Sequence, residues 1–484
     1  MEVKQNSTQQ NRTEIGDAAY PGTTFSFTTL PTQVAVKNIR HDAIEPVNPI
    51  LPDAPVNFKF MASNNECLDL QNSYLVMTMS VTTDVNAAVG DGAAGNVTIV
   101  NGIGHAFWRN ITVRINGEVI TNSDHMYAYR GDLATRLTYD TKVKTEGSLS
   151  QIGWDEEFVP IDDYANADAV LWHNNPNAHA ELNTSGMKRR HHMYTRVQDN
   201  VFRIESPIHA DIFNQSKFLP PGTTVEVIFE RNANAFCLLS KIANATFRLH
   251  LRSMQLMIRY VKMDPEVLHS QLTYRAEGHR MLFPLRRVAM TCFTKPNGST
   301  DWSEPHLLYG QGNFLPRRLF LALVPQVNFT GSYGTDPFNY VGGNLSEVAI
   351  RLNGETKPYP ILRMNRGRPE DADDHEAHDT RDWTEPVSAL LRTCNSYLNP
   401  HFDIGINRLN YHHRNWIMGF DLSATPELDG KKHYELPDDR QLSLHMLLTR
   451  PTEHVHTLIV MAEYDAELTI DSEGKVKLSE NALE

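Results

Sequence analysis

Residues Ile111–Glu118 read ITVRINGE, and residues Val348–Glu355 read VAIRLNGE. In each run three apolar side chains alternate with two others: Ile111, Val113 and Ile115 in the first, Val348, Ile350 and Leu352 in the second. Period-two alternation is the pattern of a strand with one buried face. Each run then meets Asn-Gly, at Asn116-Gly117 and Asn353-Gly354. That pair favours a type I′ hairpin, because both central residues must take positive φ. A helix is predicted soon after each turn. The first spans Ser123–Leu137, capped by Ser123 or Asp124, with Met126, Leu133 and Leu137 facing a core and Arg130 among them. The second spans Thr384–Arg392, with Thr384 as cap, Pro386 in the first turn, and Val387, Leu390 and Leu391 as its apolar face. The two copies stand close to half of the 484-residue chain apart, which predicts two copies of one β domain.

Period two dominates elsewhere. Thr223–Glu230 (TTVEVIFE) sets Val225, Val227 and Phe229 against Glu226 and Glu230, just after the turn Pro220-Pro221-Gly222. Tyr74–Val81, Phe247–Val261 and Thr457–Ile470 read the same way. Many strands with few helices suit two antiparallel sheets packed face to face in each half. Asp264-Pro265 breaks the pattern after Met263, and new strands start near Arg280. The expected division is an N-terminal arm over 1–23, a first sandwich over 24–263, a linker over 264–279, a second sandwich over 280–471 and a C-terminal tail over 472–484. Long polar loops are expected at Asp140–Arg196 and Arg366–Asp382, and loops of that length tend to face partners.

The composition removes several classes. With 40% hydrophobic and 21% charged residues the chain is not disordered overall. Its 45 basic against 58 acidic residues give a net charge of −13, a poor match for wrapping nucleic acid. Cys67, Cys237, Cys292 and Cys394 form no C-x-x-C pair and are expected as buried free thiols. The polar N-terminus has no signal-peptide core, and the apolar runs are too short to span a bilayer. G-x-S-x-G and the phosphate-binding G-x-x-x-x-G-K-[ST] are absent. Gly102-Ile103-Gly104 is not expected to open a helix, so it is no dinucleotide site.

Four clusters invite chemistry. His454 and His456 share a strand face and could converge on a metal as in cupins, but Glu463 stands too far on and no third ligand is placed. Asp371–Asp379, with His375 and His378, lacks HExxH and the Gly and final Glu of an EF-hand, so a solvated loop is the better reading. Lys188-Arg189-Arg190-His191-His192, with Arg196, is the densest basic run and could contact DNA. No aromatic residues interleave it, which favours a solvated or subunit-facing patch. His412-His413 has no spaced partner. The sequence singles out no acid pair for glycoside hydrolysis. No catalytic, cofactor-binding or metal-binding residue is therefore assigned, and no cofactor is expected.

Three stretches resemble double jelly-roll major capsid proteins of the kind encoded by Polinton/Maverick elements and adintoviruses. They are Leu315–Tyr340 (LPRRLFLALVPQVNFTGSYGTDPFNY), Met187–Cys237 and Glu66–Leu75 (ECLDLQNSYL). In the first, Pro316-Arg317-Arg318 precedes an apolar strand, Asn328-Phe329 and Pro337-Phe338-Asn339. The resemblance runs from about Thr24 to Ile470 and touches both halves. It implies an all-β chain of two tandem eight-stranded antiparallel jelly-roll sandwiches with long loops and a few short helices. It further implies a structural protein with no enzymatic activity. Such a protein forms homotrimers that act as pseudo-hexameric capsomers of an icosahedral virion around double-stranded DNA. Its expected partners are itself, penton and minor capsid proteins, and packaged DNA only indirectly, with assembly inside the host cell. The runner-up from the residues alone is a tandem β-sandwich carbohydrate-active enzyme or lectin.

Overall fold

Both Asn-Gly pairs are tight turns with positive φ at each residue: 50° and 92° at Asn116 and Gly117, 50° and 86° at Asn353 and Gly354. This is the I′ geometry that joins right-twisted strands without splaying them. The structure is a computed structural model. It describes residues 35–63, 65–85, 87, 89, 97–155, 185–240, 246–308, 315–342, 345–364, 383–408, 410–411, 414–423, 442–449, 451–452 and 454–479.

In the first half the strands are β1 (Val36–Ile44), β2 (Val56–Met61), β3 (Glu66–Thr83), β4 (Val97–Ile99), β5 (Trp108–Ile115), β6 (Glu118–Asn122), β7 (Val201–Pro207), β8 (Thr224–Arg231), β9 (Leu238–Ser240) and β10 (Phe247–Met263). In the second they are β11 (Met281–Lys295), β12 (Asp301–Glu304), β13 (Arg318–Pro325), β14 (Leu345–Leu352), β15 (Glu355–Thr356), β16 (Leu362–Arg363), β17 (Ile417–Asp421), β18 (Leu442–Leu448), β19 (His456–Ile470) and β20 (Val476–Ser479). The first half pairs as β1-β10-β3-β7 and β2-β8-β5-β6, with a small β4-β9 ribbon. The second half pairs as β11-β19-β13-β17 and β12-β18-β14-β15, with β20 added to β19 and β16 to β14.

Strand for strand, the two orders coincide. The first strand of each half pairs with the last long one, and the hairpins β5–β6 and β14–β15 hold equivalent places. All the named strand pairs are antiparallel. This is the jelly-roll arrangement twice over, as the resemblance implied. Alternation builds both cores. Val225, Val227 and Phe229 of β8 are fully buried, as are Ile111, Val113 and Ile115 of β5. Val348, Ile350 and Leu352 do the same in β14.

Several local expectations shift. The first helix is Tyr127–Thr138, not Ser123–Leu137. The Ser123 hydroxyl donates to the Ile111 carbonyl at 3.3 Å, and Asp124 and His125 take positive φ, so neither Ser123 nor Asp124 caps the helix. The second helix is Thr384–Thr393. Its N-cap is Trp383, and Thr384 is its first residue. The segment read as a linker contains a helix over Pro265–Ala276. Asp264 caps it by accepting from the Glu266 N–H at 2.9 Å, and Pro265 fits the first turn, where a missing N–H costs nothing. Gly102 does open one helical turn, Ile103–Ala106, contrary to expectation. That turn is wholly buried, so it offers no face to a dinucleotide. Of the loop read at Asp140–Arg196, residues 140–155 and 185–196 are described. They form a short helix at Thr141–Thr145, a 3-10 turn at Ser148–Ile152 and a helix at Ser185–Thr195.

Candidate functional site: the seam between the sandwiches

Among the described residues, the densest buried polar chemistry lies where the first sandwich meets β11 and its neighbours. An edge strand presents a row of main-chain groups that must be covered or left in water. β11 pairs with β19 on one side only. On its other side Val288 donates its N–H to Asp211 Oδ1 at 3.2 Å, and its carbonyl accepts from Arg130 Nη1 at 3.5 Å. Lys217 Nζ donates to the Leu282 carbonyl at 2.8 Å. Pro284, of the same parity as 282 and 288, has no N–H to satisfy. The first sandwich thus caps the edge of the second with side chains in place of a strand.

Arg130 and Asp211 are themselves buried, at 2% and 3% exposure. The guanidinium Nη2 lies 2.6 Å from Asp211 Oδ1, and Asp211 Oδ2 accepts from the Thr121 hydroxyl at 3.1 Å. The pair's charges are matched, and its oxygens have neutral donors, as a buried ion pair requires. Two residues along the helix Asp132 Oδ2 accepts from Arg136 Nε and from the Tyr340 hydroxyl, both at 2.8 Å. Arg136 Nη1 reaches Asn415 Oδ1 at 2.7 Å. Burial and the Asp132 carboxylate hold the Tyr340 phenol well above its ordinary value, so it stays a donor. Lys144 Nζ donates to the Ile404 carbonyl at 2.8 Å, and the Thr141 N–H to the Asp403 carbonyl at 2.7 Å.

The apolar part of the seam is aromatic. Tyr129 stacks on Phe329 with centroids 5.4 Å apart and planes 10° apart, and meets Phe236 and Phe338 edge-on. Gly331 has φ +89°, and a Cβ there would lie 3.0 Å from the Phe236 Cα, so only glycine lets the loop approach. The Tyr333 hydroxyl donates to the Phe247 carbonyl at 2.7 Å, and the Tyr333 carbonyl accepts from the Ser240 N–H at 2.6 Å. Asp336 pairs with Arg414. Phe329, Tyr333, Phe338 and Tyr340 all belong to Leu315–Tyr340, the stretch that carries the resemblance.

Behind the Arg130–Asp211 pair lies a second buried cluster. His105 and His209 have ring centroids 4.5 Å apart, and the Nε2 of each has no hydrogen-bond partner among the described residues. The Tyr127 hydroxyl accepts from the His209 N–H at 3.2 Å. Burial, and then the Arg130 guanidinium, push His209 down to about 4. Burial and the neighbouring His209 push His105 well below its ordinary value.

The residues singled out from sequence fall elsewhere. His454 is exposed and His456 is buried with Nδ1 2.9 Å from the His454 carbonyl, so the two rings do not converge. Glu463 pairs with Arg318 at 2.6 Å and Arg286 at 3.6 Å. The basic run read as a solvated patch is half buried. Lys188 and Arg189 are exposed, but Arg190 donates to the Ile99 and Asp155 carbonyls at 3.0 Å and His191 lies against the Val97 carbonyl. These contacts pin the Ser185–Thr195 helix to β4. Cys67, Cys237 and Cys394 are buried, but Cys292 is exposed, because it sits on the outward face of β11. Asp371–Asp379, His412-His413 and the 1–23 arm lie outside the described residues. No group of three or more His, Cys, Asp or Glu side chains is placed to hold a metal among the described residues. No helix there is long and apolar enough to cross a membrane. Sequence reasoning missed the seam because its charged residues look solvated. The one visible signal is Arg130 on the apolar side of its helix.

No family model matches the chain. A protein of Caenorhabditis elegans, itself uncharacterised, is 23% identical over 450 residues, covering 91% of this chain and 97% of that one. Among solved structures, a chain of the Sputnik virophage matches with a TM-score of 0.57 at 12% identity, covering 96% of this chain and 93% of that one. The faustovirus major capsid protein matches with a TM-score of 0.52 at 9% identity, covering 96% of each chain. At such identities the likeness is one of fold.

Proposed function

We propose that the chain is a major capsid protein of the double jelly-roll type, akin to those of Polinton/Maverick elements and adintoviruses. The observation that carries this is the pairing of two sandwiches of one strand order across a buried polar and aromatic seam. A chain built so is a stiff bar of two similar wedges. Three such bars close into a trimer with a six-sided outline, able to fill a roughly sixfold lattice position. The reading includes an icosahedral virion around double-stranded DNA, contacts with penton and minor capsid proteins, assembly inside the host cell, and no enzymatic role. Its domains are an arm over 1–23, jelly rolls over 24–263 and 280–471 joined by 264–279, and a tail over 472–484.

The net charge of −13 on each chain makes capsomers repel at low salt. Light scattering and negative-stain microscopy across ionic strength test the reading together. The expected result is a salt-resistant trimer that assembles further as charge is screened. A 54.9 kDa monomer at every salt and concentration would sink it and favour a carbohydrate-active sandwich protein.

A further inference from the structure

The first sandwich holds a cavity of about 110 Å³ between its two sheets. Val56 of β2, Trp108 of β5 and Arg231 of β8 line it from one sheet, and His250 and Leu251 of β10 from the other. The remaining wall is Ile50, Leu51, Pro52 and Ala54, on the connection that crosses from β1 to β2. That connection is bonded to itself and to the start of β2. Val47 donates its N–H to the Asn57 carbonyl at 2.8 Å, the Asn57 N–H to Asn48 Oδ1 at 2.8 Å, and Asn48 Nδ2 to the Pro55 carbonyl at 2.7 Å. Among the described residues, no hydrogen bond holds residues 50–54 to β5, β8 or β10. This wall rests on side-chain packing, so it can part to admit a ligand.

Two polar groups at the cavity lack the partner that their place calls for. Trp108 is 1% exposed, and its Nε1 has no hydrogen-bond partner among the described residues. A buried indole N–H ordinarily finds an acceptor. Arg231 Nη2 donates to Asn234 Oδ1 at 2.9 Å and to the Leu249 carbonyl at 3.3 Å, and the guanidinium carbon lies 5.3 Å from the Phe107 ring centroid. All three are neutral groups. Nearby, Arg252 Nε donates to the Ser80 hydroxyl at 2.8 Å, and only Arg248 meets an acid, Asp84 at 2.9 Å. Asp53, the acid on the connection, is exposed and does not line the cavity. Burial, and then Arg252, Arg231 and Arg248, hold the His250 imidazole below its ordinary value, so the field here is positive.

We propose that this cavity binds a small aliphatic monocarboxylate, with its carboxylate held by Arg231 and the Trp108 indole and its apolar body against Val56, Leu51 and Leu251. A carboxylate is the acceptor that answers both groups, with two oxygens and a negative charge. An apolar cavity of about 150 Å³ takes a benzene ring, so this one has room for a body of about four or five carbons. A ligand seated there touches both sheets and the connection between them, and it stabilises the first sandwich by mass action. The site lies within one sandwich and needs no second copy, so its failure leaves the capsid reading standing.

The test uses the full chain and two probes, isocaproate and its uncharged amide, isocaproamide. Calorimetry reads affinity. Nuclear magnetic resonance of the indole N–H groups reads the place, with Trp108→Phe assigning the Trp108 signal among the six tryptophans. Isocaproate is expected to bind once per chain, at least about tenfold tighter than the amide. It should also move the Trp108 signal and raise the melting temperature. In Arg231→Gln the acid and the amide should bind within about twofold of each other, whereas Arg231→Lys keeps part of the preference. Equal affinity of the wild type for acid and amide, a bound acid that leaves the Trp108 signal in place, or no binding at millimolar acid overturns the inference. The comparison of acid with amide is made on the wild type, so it stands even where a variant fails to fold.

Discussion

The helices that follow the two Asn-Gly hairpins hold the same place in their sandwiches and are built on opposite plans. Thr384–Thr393 is an ordinary amphipathic helix: Val387, Ala389 and Leu390 are buried, and Thr384 and Arg392 face water. Tyr127–Thr138 buries Arg130, Asp132 and Arg136 together with its apolar residues. The difference is location. Among the described residues, the second helix has protein on one side. The first lies in the seam and has protein on nearly every side, so its charges find partners in Asp211, Tyr340 and Asn415 instead of in solvent. A charged residue on a helix therefore reports its surroundings only once it is known what else packs there.

The largest expected effect breaks this contrast at its centre. Asp211→Ala strands the Arg130 guanidinium in a dry site and frees the Val288 N–H, a loss of about 3–5 kcal/mol. The double variant Arg130→Leu/Asp211→Leu should lose much less, because neither charge is left alone. Chemical denaturation of the three proteins gives the comparison, and equal losses for single and double variants would contradict it.

Acid probes the same region from inside. His209 sits at about 4 when folded, against an ordinary 6.5, and His105 is also held down. Both are neutral in the folded chain at pH 7. As pH falls through about 6.5 toward 4, the unfolded chain takes up protons that the folded chain refuses. Stability present above pH 6.5 is then lost, by about 3 kcal/mol for His209 alone. His456 in the second sandwich, also near 4, adds a loss of the same sign. Melting curves at pH 7, 5.5 and 4.5 should show a steeper fall for wild type than for His209→Gln. Parallel falls would remove His209 from the account.

The hairpins sharpen the equivalence of the halves. A Cβ at Gly117 or at Gly354 meets nothing within 4 Å, so only backbone conformation opposes a side chain there. Gly117→Val and Gly354→Val should each cost about 1–3 kcal/mol, and nearly the same amount as each other. Unequal losses, read by denaturant midpoint, would mean the turns are not interchangeable. The smallest effect is at Thr384. It lies inside the helix and exposed, so Thr384→Ala should change stability by less than about 0.5 kcal/mol. A loss of a full kilocalorie would restore it as a cap.

The duplicated fold was legible because period-two burial and the Asn-Gly turn are local signals, written twice in ITVRINGE and VAIRLNGE. The amphipathic helix at Thr384 was legible for the same reason. The seam was not, because it joins residues far apart in sequence. Nothing near Asp211 announces Val288, and nothing near Asp132 announces Tyr340. Arg190 misled for a related cause: its partners are main-chain carbonyls at Ile99 and Asp155, which carry no mark in a sequence. Cys292 misled in the other direction, since a small apolar residue on a strand can fall on either face and the pleat put this one outside.

The bracket that Arg130 and Asp211 place around Val288 grips its amide and carbonyl and takes no interest in its side chain. Every residue except proline offers that same pair of groups. Inheritance is therefore lopsided across this joint. The hold itself does not depend on which side chain stands at position 288, although Val288 also packs against the core, whereas Arg130 and Asp211 can change only together. A joint that reads backbone on one side keeps its geometry while the outward positions of the gripped strand, such as Leu282 and Cys292, change, and the core positions Phe283, Leu285 and Met290 stay bound by their own packing.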